Sequence, residues 1–237
     1  MTIINNSHNF IFVHVPKAAG SSITNALCAY TRYCDLEIGV TVFGEAIQGP
    51  YLSKFGLSKH SPARQLKVLV GDDAWARYFT FSFVRNPYSR AFSAFRFLRS
   101  WAVPNNEAFT REVRQFSSFD EFVLSDMCGS VNGPDNIFLP QAHWLRSGPD
   151  NIKPLVNFVG KVENIGHDLG HIFTTIGLDK TFDDPVSVPK SNVTVGEKGD
   201  ASLSEAAIRK LQSLYKVDFD AFGYSLEPVG ARPTAED

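Results

Sequence analysis

Two short apolar and aromatic runs, Phe10–Val15 (FIFVHV) and Tyr78–Val84 (YFTFSFV), each deliver the chain directly into a helix start. Both read as buried strands, the second being the strongest strand signal in the sequence. A loop of small residues follows the first, then a helix from about Ser21 to Tyr33. After the second, Pro87 opens a helix to about Arg99, with Tyr88, Ala91, Phe92, Phe95 and Leu98 on one face at i, i+3, i+4, i+7 spacing. A third strand, Val156–Gly160, precedes a helix from about Asn164 that stops at Gly177. Strands alternating with helices predict an α/β fold, a single domain whose mostly parallel central sheet is flanked by helices.

Residues 34–59 carry Gly39, Gly44, Gly49, Pro50 and Gly56 and read as irregular connection with one short strand. Ser61-Pro62 marks an N-cap followed by Pro at the first helical position, which sets His60 just before a helix start. Weaker helices are expected near Ser118–Met127 and Gln141–Arg146, and Ser202 with Glu205 forms a capping box for a last helix to about Tyr215. Residues 1–227 read as one domain and 228–237 as a disordered Pro/Gly/polar tail.

With 237 residues, 43% hydrophobic, 20% charged and 20 Phe, the chain can bury a sizeable core. A formal net charge of −2 argues against a protein that coats nucleic acid. No stretch approaches the roughly 20 apolar residues of a membrane span, and the N-terminus lacks the basic region of a signal peptide. Cys28, Cys34 and Cys128 are odd in number with no CxxC spacing, so they read as free thiols in a reducing compartment. The expectation is a cytoplasmic protein without a membrane span; its oligomeric state leaves no signal.

Chemistry concentrates at the two strand-loop-helix junctions. In the first, Pro16-Lys17-Ala18-Ala19-Gly20-Ser21-Ser22, helix-start amides, two hydroxyls and a lysine form a cradle for a phosphate-like anion. It is not a Walker A loop, because Lys17 precedes Gly20 and no Gly-Lys-Ser/Thr follows. The second junction, Arg85-Asn86-Pro87-Tyr88-Ser89-Arg90-Ala91-Phe92-Ser93, ends its strand on an arginine where a Walker B strand would end on an acid. A guanidinium with serines at a helix start suits a second phosphate.

Together, FVHVPKAAGSSI and FSFVRNPYSRAFSAF resemble the 5′-phosphosulfate loop and the 3′-phosphate motif of the sulfotransferases, including the eight-residue step from Arg85 to Ser93. PQAHWL (Pro140–Leu145), FVGKVENIGHDL and YKVDFDAFGYS extend the likeness from about Phe10 to Ser225. The branch resembled contains the chondroitin, dermatan and heparan 2-O-type carbohydrate sulfotransferases and their soluble bacterial relatives. That resemblance implies metal-free, in-line transfer of a sulfuryl group from 3′-phosphoadenosine 5′-phosphosulfate (PAPS) to an acceptor hydroxyl on a carbohydrate or small alcohol, leaving 3′,5′-ADP. It further implies that Lys17 donates to the bridging oxygen as the S–O bond breaks. Pro16, Ala18, Ala19, Gly20, Ser21 and Ser22 would then hold the phosphosulfate, Arg85 and Ser93 the 3′-phosphate, and Lys190 and Asn192 would contact the nucleotide from a loop above it.

Transfer also needs a base, and His60 in SKHSPA, between the two cradles in sequence, is the candidate. His14 reads as a packed strand residue, and His167 with His171 in HDLGH lacks the Glu and third ligand of a zinc helix. Two other classes remain open: a Mg-dependent kinase-like phosphotransferase, and a non-catalytic nucleotide-binding module. Locally the charge divides sharply. Residues 1–34 and 74–106 contain no Asp or Glu and carry +2 and +5, leaving −9 for the remainder.

Overall fold

The computed structural model describes residues 1–100, 107–131, 134–178 and 203–228. In chain order its elements are β1 (Thr2–Asn5), β2 (Phe10–Val13), α1 (Gly20–Leu27), β3 (Leu36–Ile38), α2 (Val42–Phe55), α3 (Ala63–Val70), α4 (Asp72–Arg77) and β4 (Phe79–Val84). There follow α5 (Pro87–Ser100), α6 (Glu107–Val113), α7 (Phe119–Leu124), α8 (Ala142–Leu145), β5 (Phe158–Lys161), α9 (Ile165–Thr175), α10 (Glu205–Leu214) and α11 (Lys216–Phe222). Two compact units result, one from Met1–Arg85 with Gln141–Val195, the other from Asn86–Pro140 with Gly196–Asp237.

The first unit holds the sheet, ordered β3-β1-β2-β4-β5. β2, β4 and β5 are parallel, as the alternation of strands and helices requires, with Val13 opposite Ser82 and Val84 opposite Lys161. The sheet is nonetheless mixed, because β1 and β3 add an antiparallel side. β1 is only four residues long and lacks the aromatic signal of β2, so its sequence does not announce a separate strand. On one face Ile3, Phe10, Phe12, Phe81 and Phe83 form a core with Ile23 and Leu27 of α1 and Leu169, Ile172 and Phe173 of α9. β2 is buried on both faces, which explains its unbroken apolar run.

α2 replaces most of the irregular connection expected before His60. Thr41 caps it by accepting the Gly44 amide at 3.0 Å, the Glu45 carboxylate accepts the Val40 amide, and Gly56 ends it in a left-handed conformation. Gly44, Gly49 and Pro50 hide it from propensity reading, and exposed Val42, Phe43, Leu52 and Phe55 blur its polar face.

The second unit packs the predicted stripe of α5 (Tyr88, Ala91, Phe95 and Leu98) against Phe119 and Phe122 of α7, Leu211 of α10 and Phe219 of α11. Asn86 caps α5, its side-chain oxygen accepting the amides of Tyr88 and Ser89. Ser204, not Ser202, caps α10 by accepting the Ala207 amide; Ser202 lies outside the described residues, as does the tail from residue 229. Among the described residues no helix is long and apolar enough to cross a membrane.

Gly160 of β5 lies opposite Phe83 of β4, and a Cβ there would sit 2.6 Å from the Phe83 ring. Gly160→Ala is therefore expected to cost about 1–3 kcal/mol of stability through overpacking. Urea unfolding measures this, and an unchanged midpoint would contradict the packing described.

Candidate functional site

Parallel pairing of β2 with β4 sends both chains off the same edge of the sheet, the edge where open α/β sheets bind ligands. From β2 the chain passes through His14, Val15 and Pro16 into Lys17, then turns into α1. Lys17 (φ 64°) and Ala19 (φ 57°) both take left-handed conformations, costing on the order of 1 kcal/mol each for residues with a Cβ. Such strain persists only where the surroundings hold it, and it gathers at functional sites.

Gly20 serves a different need. It is the first residue of α1, and a Cβ on it would lie 1.7 Å from Nε2 of the buried His14 ring. The glycine lets the helix start rest directly against that ring. Among the described residues the amides of Ala19, Gly20 and Ser21 find no acceptor, and Ser22 donates its amide to the Ala19 carbonyl at 3.0 Å. Pro16, Ala18 and Ser22 are buried, whereas Lys17, Ala19 and Ser21 are partly exposed.

His60 reaches the same edge from the turn between α2 and α3. The Ser61 hydroxyl, rather than capping α3, accepts the Ser58 amide at 2.8 Å and donates to the Ser58 carbonyl at 3.1 Å. Thr2 of β1 donates to the Ser58 carbonyl, and Gln48 of α2 accepts the Lys59 amide at 3.3 Å. His60 Nδ1 lies 3.2 Å from the His14 carbonyl oxygen. A carbonyl only accepts, so Nδ1 carries a proton, and in the neutral ring the lone pair lies on Nε2, as a base requires. The rings of His14 and His60 stand 4.4 Å apart between centroids.

The electrostatics are one-sided. Burial, with Arg85 and Lys59 nearby, lowers the Lys17 pKa to about 8. Burial first, then the N-terminal amine that contacts its Nδ1, then His60, Lys59 and Lys17, hold His14 well below the ordinary histidine value. His14 is thus a neutral spacer between the loop and His60. Arg85 follows β4, and both of its backbone groups are gripped by the fully buried Gln141 side chain. The Arg85 amide donates to Gln141 Oε1, and Gln141 Nε2 donates to the Arg85 carbonyl, each at 2.8 Å.

Lys17, Lys59, His60 and Arg85 all belong to the first unit. Ser93 is partly buried on α5 in the second unit, one turn after Ser89. Lys190 and Asn192 lie outside the described residues. Three arginines of the acid-free second segment are engaged within the second unit. Arg90 is buried, donating to the Ile137 and Leu139 carbonyls beneath the Tyr215 ring, while Arg96 and Arg99 lie over Phe92 and Phe95. Gln141 and His14 carry no site role on sequence alone. No local signal marks the first, and a His three residues before the loop lysine is the available signal for the second. Among the described residues no three His, Cys, Asp or Glu side chains gather as metal ligands; His167 pairs with Asp168 and His171 packs on Phe158.

This geometry sets the stability of two variants. Gly20→Ala should cost about 1–3 kcal/mol or more, and the double variant with His14→Ala should be less destabilised than the sum of the two singles. Simple additivity in denaturant unfolding would show that the His14 ring is not the obstacle. Lys17 binds its proton less tightly folded than unfolded, so it opposes folding at neutral pH, and that cost disappears as pH rises from about 8 to 10.5. Lys17→Met should raise stability at pH 7 by up to about 3 kcal/mol, with the gain shrinking above pH 8. A gain independent of pH, or a loss, would contradict the assignment.

Residues 1–225 match the family model described as "Sulfotransferase family". Carbohydrate sulfotransferase 12 of Xenopus laevis is 26% identical over 94% of this chain, and carbohydrate sulfotransferase 12 of Mus musculus is 24% identical over the same share. The chain spans 59% of the length of each of these relatives. No solved structure matches significantly.

Proposed function

The chain belongs to the sulfotransferase family, and from that membership we propose that it moves a sulfuryl group from PAPS to an acceptor hydroxyl, with 3′,5′-ADP as the other product. The observation that carries this reading is the convergence of Lys17, His60 and Arg85 at the β2–β4 edge, with Lys17 close enough to Arg85 for each to oppose the other's charge. A donor with one anionic group at each end of its nucleotide relieves that opposition.

The residues present fit such a donor. Gly20 lets the helix start rest against the His14 ring, Ser21 and Ser22 add hydroxyls, and the amides of Ala19, Gly20 and Ser21, which find no acceptor among the described residues, suit a phosphosulfate. Arg85 holds the 3′-phosphate; Ser93 joins it on the motif spacing alone. Lys190 and Asn192 complete the proposed nucleotide contacts, also by resemblance.

In the reaction, His60 Nε2 takes the acceptor hydroxyl proton as the acceptor oxygen bonds to sulfur. The bond between sulfur and the 5′-phosphate oxygen breaks, and Lys17 donates to that oxygen as its charge grows, an interaction strongest in the transition state. The His14 carbonyl keeps His60 in the tautomer this step needs. The relatives' names make carbohydrate the first acceptor class to test.

Transfer of labelled sulfuryl from PAPS to a panel of sugars and simple alcohols tests the reading. His60→Ala should retain donor affinity and lose roughly 100-fold or more in turnover; near-wild-type turnover would reassign the base. Because the Lys17 ammonium discharges near pH 8, kcat/KM should fall above about pH 8. Lys17→Arg, permanently charged, should move that alkaline limb upward in whatever activity it keeps, and an unmoved limb would assign it elsewhere.

A further inference from the structure

We infer that Gln141 is a positioning residue for Arg85, aiming its guanidinium at the 3′-phosphate of the donor; this rests on the proposed role of Arg85 as the 3′-phosphate ligand. β4 ends at Val84, so Arg85 is the first residue beyond the ladder, where strand pairing on either side has already stopped. A residue so placed would ordinarily leave its amide and carbonyl to water and its dihedrals free.

Gln141 closes both groups at once. Its side-chain amide presents one acceptor and one donor, as a peptide group of a neighbouring strand would, and both bonds measure 2.8 Å. The Gln141 side chain is fully buried at the start of α8, 56 residues distant in sequence, while the pairing with half-buried Arg85 is partly buried. Holding both sides of one residue fixes the direction in which its side chain departs. For a forked cation recognising a phosphate, direction decides how many hydrogen bonds form. Gln141 needs no contact with the nucleotide to act in this way.

The test is the affinity ratio between 3′,5′-ADP and 5′-AMP, which isolates the 3′-phosphate. It is measured by titration calorimetry on the full chain for wild type, Arg85→Ala, Gln141→Met, Gln141→Glu and the Arg85→Ala/Gln141→Met double variant. Gln141→Met keeps the volume and removes both bonds; Gln141→Glu keeps the acceptor and removes the donor. Arg85→Ala should collapse the ratio. Gln141→Met should lower it about tenfold, the equivalent of one net hydrogen bond, with 5′-AMP affinity unchanged and Gln141→Glu falling between. The double variant should fall no further than Arg85→Ala.

A Gln141→Met protein that is less stable but keeps the wild-type ratio would overturn the positioning role. So would failure of both Gln141 variants to fold, since the role would then be structural. If Arg85→Ala itself leaves the ratio intact, the 3′-phosphate reading falls instead, and the two failures are told apart.

Discussion

The parallel pairing of β2 with β4 is the constraint on which the rest depends. Two parallel neighbours must leave a sheet at the same edge, so the loop bearing Lys17 and the strand end bearing Arg85 are brought together by topology before any side chain interacts. The antiparallel β1 brings Thr2 to the turn that carries His60. Three segments distant in sequence are thereby gathered without a long connecting loop.

That gathering opposes folding. It places Lys17 partly out of water and near Arg85 and Lys59, which lowers its pKa to about 8, and it holds Lys17 and Ala19 in left-handed conformations. Compensation is packed underneath. The aromatic face built by Phe10, Phe12, Phe81 and Phe83 anchors both strands, and the neutral His14 ring fills the space that Gly20 leaves. A site with concentrated charge and strained backbone on a rigid sheet is the usual compromise between stability and function.

Much of this was legible in the sequence because strong local signals agreed with the tertiary arrangement. FIFV and FTFSFV became β2 and β4, and Pro87 with its apolar stripe became α5. α2 was not legible, because Gly44, Gly49 and Pro50 read as breakers while its stability comes from Thr41, Glu45 and packing on β3. Gly20 reads as a turn glycine, yet its requirement is space against His14. Nothing local distinguishes the two uses. Gln141 is legible in the sequence as a helix start and as part of PQAHWL, but not as a partner of Arg85, since a side chain that imitates a peptide group is invisible until its distant partner is placed. Lys190 and Asn192 lie outside the described residues.

The charge balance shows the same mixture. A net charge of −2 conceals two acid-free segments, and within the second Arg90, Arg96 and Arg99 are engaged with carbonyls and aromatic rings. Lys17, Lys59 and Arg85 stand near His60 at the candidate site, and the proposed donor, a nucleotide with two anionic ends, carries the charge to match them. Calorimetric titration of the wild-type protein with 3′,5′-ADP in the absence of Mg²⁺, compared with ATP in its presence, tests this most directly. Saturable binding of 3′,5′-ADP, tighter than that of ATP with Mg²⁺, is the result predicted. Binding of ATP with Mg²⁺ and none of 3′,5′-ADP would contradict it.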